Sequence, residues 1–473
     1  MTEIHNLSIN EYIKALKDKK FSAVDGVKYF SDRIKKDHRN AVIEVFQSAT
    51  DAAKKIDEKI KKGEKLGKLG GVPILIKDNI LYKGHKASAA SKMLGDFVSP
   101  YSATIVEKML AEDAIILGRT NMDEFAMGAT GETSSLGVTL NSKSDKHVAG
   151  GSSSGAASAM AANLCIACIG TDTGGSIRCP AAWNEIYSIK PTYGSISRYG
   201  IIAYASGLDQ AGPVTKNAND AKIMLDVLRG KDPHDMTSIE AKNTKTAPTK
   251  KAGIKIGFIK DVWKHKDTIQ GFDRFQKLFD DLKKHGVEIV PLTIKNIDLA
   301  LAAYYIIAPA EASSNLARFD GVRYTSAPKQ PKNLGDLYIS TRTENFGDEV
   351  KHRINLGNYV LSSGYFDAYY GKAKQVQAAL KNEMAAAFEK CDAVILPVTP
   401  GDAPKIGEKT TDKIAMYLID LFTIVANVVG VPSLCRPFGM GDQGLPIGLQ
   451  IMGAHGHDDN LFEIEKLISE VLK

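Results

Sequence analysis

The sequence has little of what marks most specialised protein classes. Its five cysteines (Cys165, Cys168, Cys179, Cys391 and Cys435) are sparse and odd in number over 473 residues. That excludes a disulfide scaffold and suits a reducing compartment. No stretch supplies the ~20 predominantly apolar residues of a spanning helix. A charge-free run of 24 residues, Val148–Thr171, opens on a Gly/Ser loop and reads as buried, not membranous. The first twenty residues scatter charges and lack the apolar core of a secretory leader. Neither sign of charge dominates: 61 basic against 55 acidic residues leave +6, too little for a nucleic-acid footprint. Repeats and low-complexity segments are absent. What remains, 44% hydrophobic and 25% charged, is the composition of an ordinary globular chain, long enough for one large domain or about three average ones.

Charge is spread unevenly. Residues 1–70 hold 16 Lys/Arg and 11 Asp/Glu, whereas residues 121–220 hold 6 and 8, together with 13 Gly and 13 Ser. A segment poor in charge and rich in small residues is one where backbones approach closely. The first seventy residues read as exposed amphipathic helices, such as Ala52–Lys62. Val72–Ile76 is a buried strand with Lys77 directly after it, Ala103–Ala111 a helix, and Ala114–Leu117 a strand. A second helix is expected to start at Asn121, where a capping side chain precedes acidic residues. Gly155–Leu164 reads as helix and Cys165–Ile169 as strand. After a basic, proline-containing linker at residues 242–251 come a strand at 254–259, a helix at Phe272–Lys284 and a strand at 287–290. Late strands follow at Ala393–Val398 and Ile447–Met452. Strands alternating with helices predict an α/β sheet with covered faces.

Three segments could carry chemistry: Lys77, the run Gly150-Gly151-Ser152-Ser153-Ser154-Gly155, and Asp172-Thr173-Gly174-Gly175-Ser176-Ile177-Arg178. A serine hydroxyl becomes a good nucleophile only when a base takes its proton. Lysine is that base only when neutral, which burial favours. Consecutive backbone amides at Thr-Gly-Gly-Ser can hold a developing oxyanion. Each feature alone has a plain alternative: a snorkelling surface lysine, a Gly/Ser turn at Ser152, a helix N-cap at Ser176. Gly151–Gly155 also fits G-x-S-x-G, which would make Ser153 the nucleophile, but that motif needs a buried strand before it. Residues 141–147 are polar and loop-like, which argues against it. Cys165-Ile166-Ala167-Cys168 has no second pair for a metal and reads as core packing, and His455-Gly456-His457-Asp458-Asp459 reads as a polar loop.

The lysine in Gly70–Asn79 and the two serines 176 − 152 = 24 residues apart, within Gly150–Gly155 and Gly170–Pro180, together resemble the amidase signature family. The resemblance implies a single large α/β domain spanning 1–473, with a mixed central β-sheet covered by helices on both faces. Its parts would be an N-terminal helical region (1–70), a catalytic signature core (71–230), a peripheral α/β and helical region (253–390) and C-terminal strands and helix returning to the core (391–473). It also implies a Ser–Ser–Lys triad in which Ser176 is acylated, Lys77 is the base and Ser152 relays the proton on a non-proline cis peptide. Thr173, Gly174 and Gly175 through Ser176 would supply oxyanion amides.

Asn121–Gly128, Lys190–Gly194, Ser206–Gln210, Glu311–Gly321 and Leu361–Tyr370 are similar to the glutamine-hydrolysing A-type subunits of tRNA-dependent amidotransferases within that family. By that likeness Arg353 would meet the glutamine α-carboxylate and Asp420 its α-ammonium, with Tyr304 lining the pocket. An arginine fork and a carboxylate can read the two charges of an amino acid. The chain itself would need no cofactor. ATP and Mg²⁺ would be used by a B-type partner, with a small C-type partner completing a heterotrimer and charged tRNA bound mainly through the B-type partner. The location would be cytoplasmic, or an organellar matrix in a eukaryote. A stand-alone amidase on another amide and a non-catalytic scaffold are the rival readings. The chain departs from the family pattern at Ser154, Ala149, Asn184-Glu185 and Arg436.

Overall fold

The computed structural model describes residues 3–240, 253–263, 266–328, 330–408 and 413–472, so the basic linker at 242–251 lies outside the described residues. Among the described residues eleven strands form one sheet. In chain order these are β1 (Val42–Val45), β2 (Pro73–Lys77), β3 (Ile115–Thr120), β4 (Ala167–Asp172), β5 (Tyr187–Lys190) and β6 (Gln210–Thr215). Then come β7 (Lys255–Ile259), β8 (Glu288–Leu292), β9 (Ala393–Pro397), β10 (Ser433–Met440) and β11 (Pro446–Met452). The spatial order is β1-β3-β2-β4-β6-β5-β10-β11-β9-β7-β8.

The sheet is mixed. β2 runs parallel to β3 and β4, and β7 runs parallel to β8 and β9. The central ladders joining β4, β6, β5, β10 and β11 are antiparallel. Successive strand residues point to opposite faces. All five residues of β2, all six of β4 and all seven of β11 are buried, so both faces of the sheet are covered there. Among the described residues no helix is long and apolar enough to cross a membrane.

Local chemistry sets the element ends. The first two helices, Ile9–Lys17 and Ala23–Lys36, each begin with a reciprocal capping box, from Ser8 with Glu11 and from Ser22 with Asp25. Ser48–Lys62 follows, its lysines facing outward. Residues 1–70 are not purely helical, because β1 adds an antiparallel edge strand to β3. The helix Phe272–Lys284 buries Phe275, Leu278, Phe279 and Leu282, the stripe its spacing predicts.

Three local expectations differ from the structure. No helix starts at Asn121: Glu124–Ala126 is a single 3₁₀ turn, with Phe125 at φ 48° and Ala126 at φ 61°. The Asp123 carboxylate, instead of capping its own turn, reaches the amides of Gly131 and Thr133, each at 3.0 Å, and bends the segment. Residues 141–147 are not a loop but part of a hairpin, Leu140–Asn141 with Ser144–Val148. Its second strand is largely solvent-facing, so it still does not supply the buried strand that G-x-S-x-G requires. Cys165 precedes β4, which carries only Cys168. The two buried sulfurs lie 3.1 Å apart.

The departures from the family pattern are each accommodated. Ser154 Oγ donates to Thr139 Oγ1 at 3.1 Å inside the core. Ala149 O accepts from buried Asn184 Nδ2 at 2.7 Å, and Glu185 pairs with Lys143. Arg436 in β10 is buried and donates to Glu465 Oε1 at 3.2 Å and Ser469 Oγ at 2.9 Å.

Candidate active site

Parallel pairing of β2 with β4, Ile76 opposite Ile169, brings the carboxyl ends of both strands to one edge. Lys77 closes β2 there, and the loop carrying Ser176 leaves β4 beside it. Lys77 is fully buried. Its Nζ donates to Ser152 Oγ at 2.8 Å, Ser153 Oγ at 2.9 Å and Thr171 Oγ1 at 2.9 Å. Burial pushes its pKa down from 10.5 to about 7, against the pull of Asp123, Asp172 and Asp209. Such a lysine is a working base near neutral pH.

The Gly151–Ser152 peptide is cis. Gly151 N–H donates to Ala129 O at 2.8 Å, and a Cβ at Gly151 would overlap Asp123 Oδ2, so only glycine fits this approach. Ser153 Oγ donates to Thr171 O at 3.0 Å, and Ser153 N–H to Ser176 O at 2.9 Å, tying the two serine segments together. Ser176 is not a helix N-cap. The helix Arg178–Trp183 starts after Ile177, and the Ser176 hydroxyl has no hydrogen-bond partner among the described residues.

A buried network sets the shape of the Ser176 loop. Asp172 and Arg178 are both fully buried and paired through two contacts, Nε–Oδ2 at 3.0 Å and Nη2–Oδ1 at 3.1 Å. Asn427 bridges them, donating to Asp172 at 2.8 Å and accepting from Arg178 at 2.6 Å. Burial would raise the Asp172 pKa, but the Arg178 charge and its hydrogen bonds hold it at about 2. This carboxylate also accepts from the amides of Gly175 at 2.9 Å and Ile177 at 3.2 Å. Gly175 N–H, one of the amides expected to meet an oxyanion, therefore already has an acceptor within the loop. The amides of Thr173, Gly174 and Ser176 have no acceptor among the described residues.

Tyr304, Arg353 and Asp420 come together beside that loop. Tyr304, on the helix Ala300–Asn315, lies so close to Gly174 that a Cβ there would sit 2.6 Å from its hydroxyl. Arg353, on the helix Asp348–Leu361, is buried and donates through Nε to Glu349 Oε1 at 2.9 Å and through Nη1 to Tyr204 Oη at 2.7 Å. Asp420 accepts from Tyr305 Oη at 3.1 Å, and burial raises its carboxyl to about 7 although the Arg353 charge opposes this. Thr423, three residues on, donates to Gly174 O at 2.6 Å and so joins this cluster to the Ser176 loop.

Sequence reasoning missed Glu349, Tyr204, Tyr305, Tyr417 and Asn427. The Glu349/Arg353 spacing of four was legible as a one-face helical pair, whereas nothing in the sequence signals that Tyr204 meets Arg353. The His455-Gly456-His457-Asp458-Asp459 segment spends its acids on structure: Asp458 takes Thr192 N–H at 2.8 Å, and Asp459 pairs with Arg229 at 2.9 Å.

A buried lysine of lowered pKa against one serine, with a second serine whose hydroxyl and neighbouring amides have no partner among the described residues, is an arrangement chemically able to support acyl transfer from an amide. The family model for amidases matches residues 25–462. The chain belongs to the amidase family. This amidase is 45% identical over 474 residues to the A-type subunit of a glutamyl-tRNA(Gln) amidotransferase of Thermoanaerobacter pseudethanolicus, covering 98% of this chain and 96% of that one. Its structure matches that of the corresponding A-type glutamyl-tRNA(Gln) amidotransferase chain from Thermotoga maritima with a TM-score of 0.80 at 32% identity, covering 98% and 94% of the two chains. A peptide amidase from Stenotrophomonas maltophilia matches with a TM-score of 0.81 at 28% identity, over 98% and 96%. The same fold is therefore shared by an amidotransferase chain and a peptide amidase.

Proposed function

We propose that this amidase is the glutamine-hydrolysing component of a tRNA-dependent amidotransferase. The observation that carries this reading is that Arg353 and Asp420, buried and of opposite charge, both meet Tyr305 and are tied to the Ser176 loop through Thr423. An amide with no charges has no use for such a pair, while the α-carboxylate and α-ammonium of glutamine fit it.

Neutral Lys77 accepts a proton from Ser152, which accepts one from Ser176, and Ser176 Oγ attacks the side-chain amide carbon of glutamine. The negative charge that develops on the amide oxygen meets the Thr173, Gly174 and Ser176 amides, donors already in place before reaction. Collapse breaks the C–N bond. The proton returns through Ser152 to the departing ammonia, and water then releases glutamate from Ser176 by the reverse relay. Ammonia passes to a B-type partner, which uses ATP and Mg²⁺ to activate and amidate the glutamate (or aspartate) on charged tRNA, with a small C-type partner completing the heterotrimer. This chain contributes no metal or cofactor of its own.

The test is Ser176→Ala in the assembled complex. Glutamine-dependent amidation is expected to vanish while amidation from added ammonium salts persists. Loss of both would overturn the division of labour.

A further inference from the structure

Arg353 and Asp420 are both buried, carry opposite charges and both face Tyr305, and in a low-dielectric setting such groups attract strongly. A direct ion pair between them would cancel both charges that an amino acid must find. They do not pair. Among the described residues the carboxylate within ion-pair distance of Arg353 is that of Glu349, four residues earlier on the same helix, at 2.9 Å from Nε. Tyr204 Oη accepts from Nη1, and the guanidinium lies 5.5 Å from the Tyr204 ring centre and 5.6 Å from those of Tyr305 and Tyr417. Asp420 is held from the other side by Tyr305 Oη, whose ring stacks on Tyr417 at 3.9 Å. Tyr417 Oη in turn reaches Glu349 Oε1 at 3.5 Å.

The geometry points to Glu349 as a positioning residue for substrate selection. It anchors Arg353 through Nε, which holds the guanidinium away from Asp420 and leaves Nη2, without an acceptor among the described residues, for a ligand carboxylate. The aromatic rings fix the plane of the fork and keep water from it. Glu349 touches no reacting atom. It acts through Arg353, keeping two opposite charges apart and available. This inference rests on the glutaminase reading.

The measurement is the ratio of kcat/KM for glutamine to that for butanamide, which has the same reacting amide and neither charge, using the full-length chain in its native assembly. Wild type is expected to favour glutamine strongly, and failure of that comparison would sink the glutaminase reading itself. Glu349→Gln is expected to raise KM for glutamine roughly ten- to a hundredfold, the range for a lost hydrogen bond to a charged group, with kcat little changed. Its butanamide kcat/KM should stay within about twofold, so the ratio collapses through KM alone. Glu349→Asp, which keeps the charge, should recover part of the ratio. An unchanged ratio in Glu349→Gln, or equal loss of both substrates, would overturn the inference. Tyr204→Phe, which removes only the hydroxyl on Nη1, should lower the ratio in the same way and decides the matter if Glu349→Gln does not fold.

Discussion

Lowering the pH through 7 should cost this amidase its activity at two groups, and the two can be separated by choice of substrate. The base must be neutral to act, and an ordinary lysine with pKa 10.5 is neutral in only about 0.3% of molecules at pH 8. Lys77, brought to about 7 by burial, is neutral in roughly 90% at that pH, about a 300-fold gain in working base. In the proposed binding mode Asp420 meets the α-ammonium only when charged, and burial raises it to about 7 as well. Both active forms are deprotonated, so both contributions are lost as pH falls. From pH 8 to pH 6, kcat/KM for butanamide, which needs Lys77 alone, is expected to fall about tenfold. For glutamine, which needs both groups, the fall should approach roughly a hundredfold. Ammonia release across pH 5.5–9 measures each profile, and Asp420→Asn should reduce the glutamine limb to a single ionisation. A limb centred near pH 10, or identical limbs for the two substrates, would refute the reasoning.

Two further perturbations test the frame around Ser176. Asp172→Asn leaves the fully buried Arg178 without a charged partner, and is expected to destabilise the fold by about 3–5 kcal/mol. Denaturant unfolding should show this as a lowered midpoint, and an unchanged midpoint would mean that the pair is not needed. Gly174→Ala drives a Cβ to 2.6 Å from the Tyr304 hydroxyl. Because this moves an unpaired amide beside the nucleophile, it should lower kcat by roughly 10²–10³-fold, the effect of losing one oxyanion donor. Stopped-flow acylation measures that loss, and a rate close to wild type would remove Gly174 from the oxyanion site.

Much of the fold was legible because its signals are local. The apolar run before Lys77 predicts a strand whatever surrounds it, and the Phe272–Lys284 stripe predicts a helix. Asn121 misled because Asp123 has a choice of amides to cap. Its own turn competes with Gly131 and Thr133, and only the packed chain brings those two close enough to win. The same holds for Gly175. A Thr-Gly-Gly-Ser run advertises free donors, but Asp172, three residues away, takes the Gly175 amide once Arg178 has fixed the carboxylate.

The chemistry on offer is written in short segments: a lysine at the end of a buried strand and two small-residue loops bearing serines, each readable within a few neighbouring residues. Tertiary structure decided how that chemistry is selective and poised. Tyr204 reaches Arg353 across 149 residues, and Asp420 meets Tyr305 across 115, because separate helices and loops converge beside one sheet edge. Burial, which moves both Lys77 and Asp420 to about 7, is likewise a property of the assembled core and of no short segment. Periodicity records which face of an element is covered, but not which side chain from a distant element covers it.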